Sequence, residues 1–182
     1  MLKKILLSVA IFIGLFFLVG FLLPRDFTVH RSISVKADRQ VSYDVLDDLA
    51  SWENFMPWYS DDSQFEFKLG DIRKGVGATQ FWSGSGNGSI SIIESDVRKG
   101  IKYKIQFSER PEDQAISEFN FQDNSEGTII SWSMSGRVDA PLGGYVNLLI
   151  DDMIGSVFEK GLIQLKQYLE DAKTQSPSSQ AN

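Results

Sequence analysis

Cysteine is missing from this 182-residue chain, which removes disulfide staples, thiolate nucleophiles and cysteine-ligated metal centres from consideration. Histidine is nearly missing too. The single imidazole, His30, sits in a run where Val29 and Ile33 share the opposite parity, so it is expected to point away from the core as an exposed strand residue. A Ser-His-Asp triad needs a buried imidazole beside an activated serine, and a zinc centre needs several clustered ligands. Neither arrangement is supplied, and no metal is expected. Basic residues are also scarce: 18 Lys and Arg against 24 Asp and Glu give a formal net charge of -6. Two of the lysines, Lys3 and Lys4, precede everything else, so the remainder is more acidic still. Nucleic-acid partners are excluded on this balance, as is adhesion to anionic headgroups through a basic patch.

One stretch avoids charge altogether. From Ile5 to Leu23 the chain is apolar for about 19 residues, close to the ~20 that an α-helix needs to cross a bilayer core. Ser8, Gly14 and Gly20 are its main interruptions. A cleavable signal peptide is the alternative, but its apolar core is usually about 7 to 15 residues long and ends in a small-x-small site. Phe21-Leu22-Leu23-Pro24 offers no such site. Residues 1–24 are therefore read as an uncleaved membrane anchor. Lys3, Lys4 and the amino terminus outweigh Arg25, which places the N-terminus in the cytoplasm and exports the rest of the chain. The expected location is a single-pass protein of the bacterial inner membrane with its domain on the periplasmic or extracellular side. Residues 25–173 suffice for one domain with a real core, and residues 174–182, polar and with nothing to bury, read as a disordered tail.

In Phe27 to Val35, the residues Phe27, Val29, Ile33 and Val35 fall on one parity, as a half-buried strand requires. Asp38 is placed to cap a helix whose Val41, Val45, Leu46 and Leu49 share a face, and a second short turn carries Trp52, Phe55 and Met56 until Pro57 stops it. The period then changes to two. Strands are expected at Phe65 to Leu69, Gly77 to Trp82, Ser89 to Glu94, Ile101 to Phe107, Ala115 to Phe121 and Thr128 to Gly136, separated by Gly, Asn, Asp and Pro clusters. About seven strands joined by short turns predict an antiparallel meander. After Pro141 the period returns to 3.6, and Ile154, Phe158, Leu162, Leu165 and Leu169 define the buried stripe of a long terminal helix. Pro141-Leu142-Gly143-Gly144 before it reads either as a hinge or as a plain helix-entry loop.

This α+β order of elements resembles the Bet v 1-like or START-related (SRPBCC) superfamily, and locally its polyketide cyclase/dehydrase and lipid-transport branch. The residues that carry the likeness are Phe55-Met56-Pro57-Trp58, Gly75-Val76-Gly77, Gly127-Thr128-Ile129-Ile130-Ser131-Trp132-Ser133-Met134 and Phe158-Glu159-Lys160-Gly161-Leu162, the last similar to that branch's phenylalanine-glutamate-x-glycine-leucine stretch. Phe55 departs from the pattern, since many relatives carry tryptophan there. The resemblance spans Phe27 to Asp171 and implies a helix-grip fold, in which a curved sheet wraps around the terminal helix and commonly encloses a hydrophobic pocket.

Candidate site residues are drawn from the inward parities. Trp58, Phe67, Ile92, Tyr103, Phe107, Ser117, Phe119, Trp132, Met134, Met153, Ile154 and Phe158 are placed to line a space between sheet and helix, with Phe121 beside them. The same side chains would equally form a filled core. Chemistry has weaker footing. Asp152, with Tyr103 or Arg137, is the nominee for an acid/base pair, whereas Asp151 and Asp152 read as well as a solvated pair, since neighbours diverge by about 100° around a helix. Gly84, Gly86 and Gly88 precede a strand rather than a helix, so they read as a hairpin and no nucleotide cofactor is expected. Three functions remain open: a membrane-anchored binder of a hydrophobic small molecule or lipid, a polyketide cyclase/dehydratase-like enzyme, and a cell-envelope interaction module with a filled core.

Overall fold

The computed structural model describes residues 2–60 and 65–174. The expected tail falls almost wholly outside the described residues, and Thr174 closes the last helix. Among the described residues α1, Leu2–Leu22, is the one helix long and apolar enough to cross a membrane, and nearly all of it is exposed. The first strand β1, Asp26–Val35, begins a few residues later.

β1 leads into α2 (Arg39–Asp47), a 3-10 turn (Leu49–Asn54) and the short α3 (Pro57–Ser60), followed by β2 (Phe65–Leu69), β3 (Thr79–Gly84), β4 (Gly88–Asp96), β5 (Gly100–Gln106), β6 (Gln114–Asp123), β7 (Thr128–Arg137) and α4 (Gly143–Thr174). The strands form one seven-stranded sheet in the order β1-β7-β6-β5-β4-β3-β2, each pair antiparallel. β2 to β7 are thus a meander, and β1 closes the far edge against β7 in a ten-residue register from Asp26 opposite Arg137 to Val35 opposite Thr128.

Two local expectations are corrected. Val41 is exposed, and the buried face of α2 runs through Ser42, Leu46 and Asp47, because the helix lies against β5 and β6 with its polar residues partly enclosed. Asp38 flanks α2 in extended geometry, but its side chain makes no capping bond, and its carbonyl accepts from Ser42 N at 3.0 Å instead. Pro57 also does more than end a helix. It opens α3, a position where proline's missing N–H is not needed. The periodicity of α4 is as read: Phe158, Leu162, Leu165 and Leu169 are buried and Ile154 is half-buried.

The core fills the groove between sheet, α2, the 3-10 turn and α4, with Trp52, Tyr103, Phe119 and Trp132 at its centre. Trp52 is edge-on to both Tyr103 and Phe119, at ring-centroid distances of 5.2 and 6.1 Å, and its indole donates to the Leu46 carbonyl at 3.0 Å. A satisfied N–H permits a tryptophan to be fully buried here. The other end of the groove is not filled.

Candidate functional site: an apolar cavity under the terminal helix

Between the concave sheet and the N-terminal half of α4 lies a cavity of about 380 Å³, within the range of pockets that take small molecules. Its floor is built by strand alternation: Ile90 from β4, Tyr103 and Ile105 from β5, and Trp132 and Met134 from β7. The β2–β3 hairpin raises one wall with Phe65, Phe67 and Trp82, and α3 contributes Trp58. α4 roofs it with Met153, Ile154, Val157 and Phe158, and Phe107 stands just past β5. Phe65, Phe107, Met153 and Val157 are solvent-exposed, so they mark the mouth.

Among the described residues no charged side chain lines this space. Its polar side-chain groups are the Tyr103 hydroxyl and the indole N–H groups of Trp58, Trp82 and Trp132, and at the floor the Tyr103 and Trp132 groups are spent on each other. Trp132 projects from β7 across β6 and donates to Tyr103 Oη on β5 at 2.8 Å and to Ser117 Oγ at 3.0 Å. Ser117 in turn donates to the Ser133 carbonyl at 2.7 Å. A larger residue than serine at the centre of β6 would block the indole's path. Burial pushes the Tyr103 phenol well above the usual tyrosine range, so it stays neutral and acts as a hydrogen-bonding group rather than as a base. The indole is held from above by Phe158, stacked at 3.9 Å and 9°. The result is a rigid aromatic floor with its polarity quenched.

Nine of the sequence-predicted residues meet at this cavity: Trp58, Phe67, Tyr103, Phe107, Trp132, Met134, Met153, Ile154 and Phe158. Three do not. Ile92, Ser117 and Phe119 share the concave parity but lie fully buried in the core, Ser117 beneath the Trp132 indole and Phe119 packed against Trp132 at 4.9 Å. Phe121 likewise sits away from the cavity, against Tyr43 at 6.3 Å. Alternation identifies which face a residue occupies; it does not say which residue stands in front. Ile90, Ile105 and Trp82 also line the cavity, and all were accessible to the same parity argument that selected Tyr103 and Phe107. Phe65, exposed at the mouth, shares the parity of Phe67 and was accessible in the same way, whereas exposed Val157 lies off the buried stripe of α4.

The nominated acid/base residues are not gathered. Tyr103 is buried in the floor, Asp152 is exposed on α4 and absent from the lining, and Arg137 pairs with Asp26 at 3.3 Å at the sheet edge. Asp151 has a structural partner. Arg31 of β1 reaches over α4, donating to Asp151 at 3.2 Å and to Glu159 at 2.7 Å, and its guanidinium holds the Asp151 carboxyl below the usual carboxylate range. Gly155 lies directly beneath, where any Cβ would collide with that guanidinium. His30 is exposed, as its parity requires. Gly84 to Gly88 connect β3 to β4 as a hairpin.

No protein-family model and no curated protein matches the sequence. Solved structures do resemble it. The protein of unknown function SA2116 from Staphylococcus aureus superposes with a TM-score of 0.64 at 12% identity, over 82% of this chain and 96% of its own. Protein CV1439 from Chromobacterium violaceum gives 0.55 at 19% identity, over 81% and 99%. Ara h 8.0201 gives 0.55 at 14% identity, over 80% and 99%. The fold is the Bet v 1-like helix grip. At such identities the likeness speaks for the helix-grip fold alone, so function rests on the cavity itself.

Proposed function

We propose that this protein is a membrane-anchored binding domain for a hydrophobic small molecule or lipid, held in the cavity between the helix-grip sheet and α4. The observation that carries this reading is an uncharged, mostly apolar space, open at one mouth, whose floor groups Tyr103 Oη and Trp132 Nε1 already bond to each other. Such a lining rewards apolar area and little else: each methylene moved into it contributes about 0.8 kcal/mol. A ligand rich in methylenes or fused apolar rings therefore fits the cavity, with any polar end directed to the mouth between Phe107 and Met153.

α1 supports the second half of the reading. Its length of 21 residues gives about 31 Å of helix, the thickness of a bilayer's hydrocarbon core. On the positive-inside argument the N-terminus is cytoplasmic and the domain faces the other side. The linker keeps the domain at the membrane surface, because Leu23, Pro24 and Arg25 are the whole distance between α1 and the first paired residue of β1, Asp26. A cavity so placed draws its ligand from the bilayer or delivers it there.

The test is mass spectrometry of small molecules extracted with the full chain from membranes in mild detergent. A defined apolar compound, recovered in constant ratio to protein and lost when the cavity is filled by substitution, is the expected result. Repeated recovery of nothing beyond bulk lipid, in bulk proportions, would overturn it.

A further inference from the structure

The first turns of α4 are apolar on nearly every side and yet exposed. Between Pro141 and Ile150 the chain has no Asp, Glu, Lys, Arg or His. Leu142, Val146, Leu148 and Leu149 are all exposed, and at about 100° per residue the last three spread over an arc of about 160°, nearly half of the helix circumference. Asn147 is the polar exception, and its amide is engaged with the Pro24 carbonyl at 3.0 Å. An uncharged helix segment with so broad an exposed apolar face belongs in an apolar medium.

Its position relative to α1 says which medium. The Tyr145 ring stacks on Phe16 at 4.5 Å and 4°, and its hydroxyl donates to the Phe16 carbonyl at 2.7 Å. Gly20 and Gly144 make the approach possible: a Cβ on Gly20 would lie 2.9 Å from the Tyr145 ring, and one on Gly144 would lie 2.7 Å from Leu23 Cβ. At 1.5 Å per residue Phe16 lies about 9 Å inside the end of α1 at Leu22. The linker is tied down as well, with Val138 N donating to the Arg25 carbonyl at 2.9 Å. A bilayer around α1 thus reaches the start of α4.

We infer that the first two turns of α4 lie in the bilayer beside α1 and form a lipid-facing portal to the cavity. The inference rests on reading α1 as a membrane anchor. Val146, Leu149, Met153 and Val157 fall within an arc of about 80° and are all exposed, forming a stripe that starts beside α1 and ends at the mouth, where Met153 and Val157 line the cavity. Asp151, bound to Arg31, lies on the opposite side of the helix, and exposed Asp152 projects about 60° beyond Leu149, so the four stripe positions themselves carry no charge. An apolar ligand moving along it would not have to cross water.

The absence of cysteine makes the test direct, since any introduced thiol is unique. Nitroxide labels on Val146→Cys and Leu149→Cys are compared with Ile11→Cys in α1 and Ile163→Cys on the far half of α4, in the full chain reconstituted into phosphatidylcholine/phosphatidylglycerol vesicles. Oxygen is expected to collide several-fold more than a water-soluble nickel chelate at 146 and 149, as at 11, with the order reversed at 163. If 146 and 149 behave like 163 while 11 remains lipid-exposed, the portal is refuted and the anchor stands. Nickel access at 11 as well would refute both. Labels at 146 and 149 shielded from both reagents and broadened by spin–spin coupling would mean that a second copy covers the stripe, which also overturns the inference.

Discussion

Ile105→Trp provides the most demanding test of the cavity as a binding site. Ile105 projects from β5 into the cavity between Tyr103 and Phe107, and is itself almost fully buried. An indole there finds empty space, so the overpacking cost of ~1–3 kcal/mol seen in filled cores is offset by the apolar area it buries. Its roughly six additional heavy atoms exclude a similar number of ligand atoms. If about four of these are methylenes at ~0.8 kcal/mol each, the ligand loses about 3 kcal/mol, or roughly a hundredfold in affinity. Dansyl-undecanoic acid titrated into the full chain, with complexes counted by native mass spectrometry after release from detergent, measures this without interference from probe dissolved in micelles. Urea unfolding of the same variant checks that the domain remains folded. Undiminished binding to a folded Ile105→Trp protein would refute the assignment. Ser117→Trp, by contrast, would disrupt the Trp132 indole's resting place rather than fill the cavity, and its loss of binding would be uninformative.

Two further predictions concern the floor and the strap. Tyr103 has its phenol raised by burial, so its contribution to stability is fully present below about pH 10 and is lost at about 1.4 kcal/mol per pH unit as pH rises above that. Guanidinium unfolding between pH 8 and 11 should show this slope as the difference between the native chain and Tyr103→Phe; parallel curves would disprove it. Gly155→Ala forces the Arg31 side chain aside, which a flexible guanidinium accommodates, while alanine improves helix propensity by about 1 kcal/mol. Stability should therefore change little, but the Asp151 carboxyl, followed by NMR titration, should move up toward the ordinary ~3.9 as its hydrogen bonds to Arg31 are lost. An unmoved Asp151 would show that Arg31 does not depend on the open surface at Gly155.

Most of the lining is legible in the sequence because strand alternation and helix periodicity are local properties. Tyr103, Trp132, Met134 and Phe158 can be placed on inward faces from spacing alone. Ile92, Ser117 and Phe119 cannot be separated from them, since all share those faces. What separates them is reach. The Trp132 side chain spans β6 to meet Tyr103, so Ser117 falls beneath it, and Phe119 packs behind it against Trp52. Asp151 is similarly ambiguous until Arg31, 120 positions earlier in the chain, is seen to reach it.

The sequence by itself determined the order of elements, the apolar α1 and the scarcity of reactive groups, because periodicity, hydropathy and composition are written residue by residue. Tertiary structure alone decided that the groove is filled at Trp52 and open at Trp132, and that Tyr145 stacks on Phe16 and joins the start of α4 to α1. Packing is the reason. Whether a set of inward aromatics closes a core or leaves a hollow depends on how side chains from distant strands and helices meet, and that distance is set only when the sheet curves around its helix.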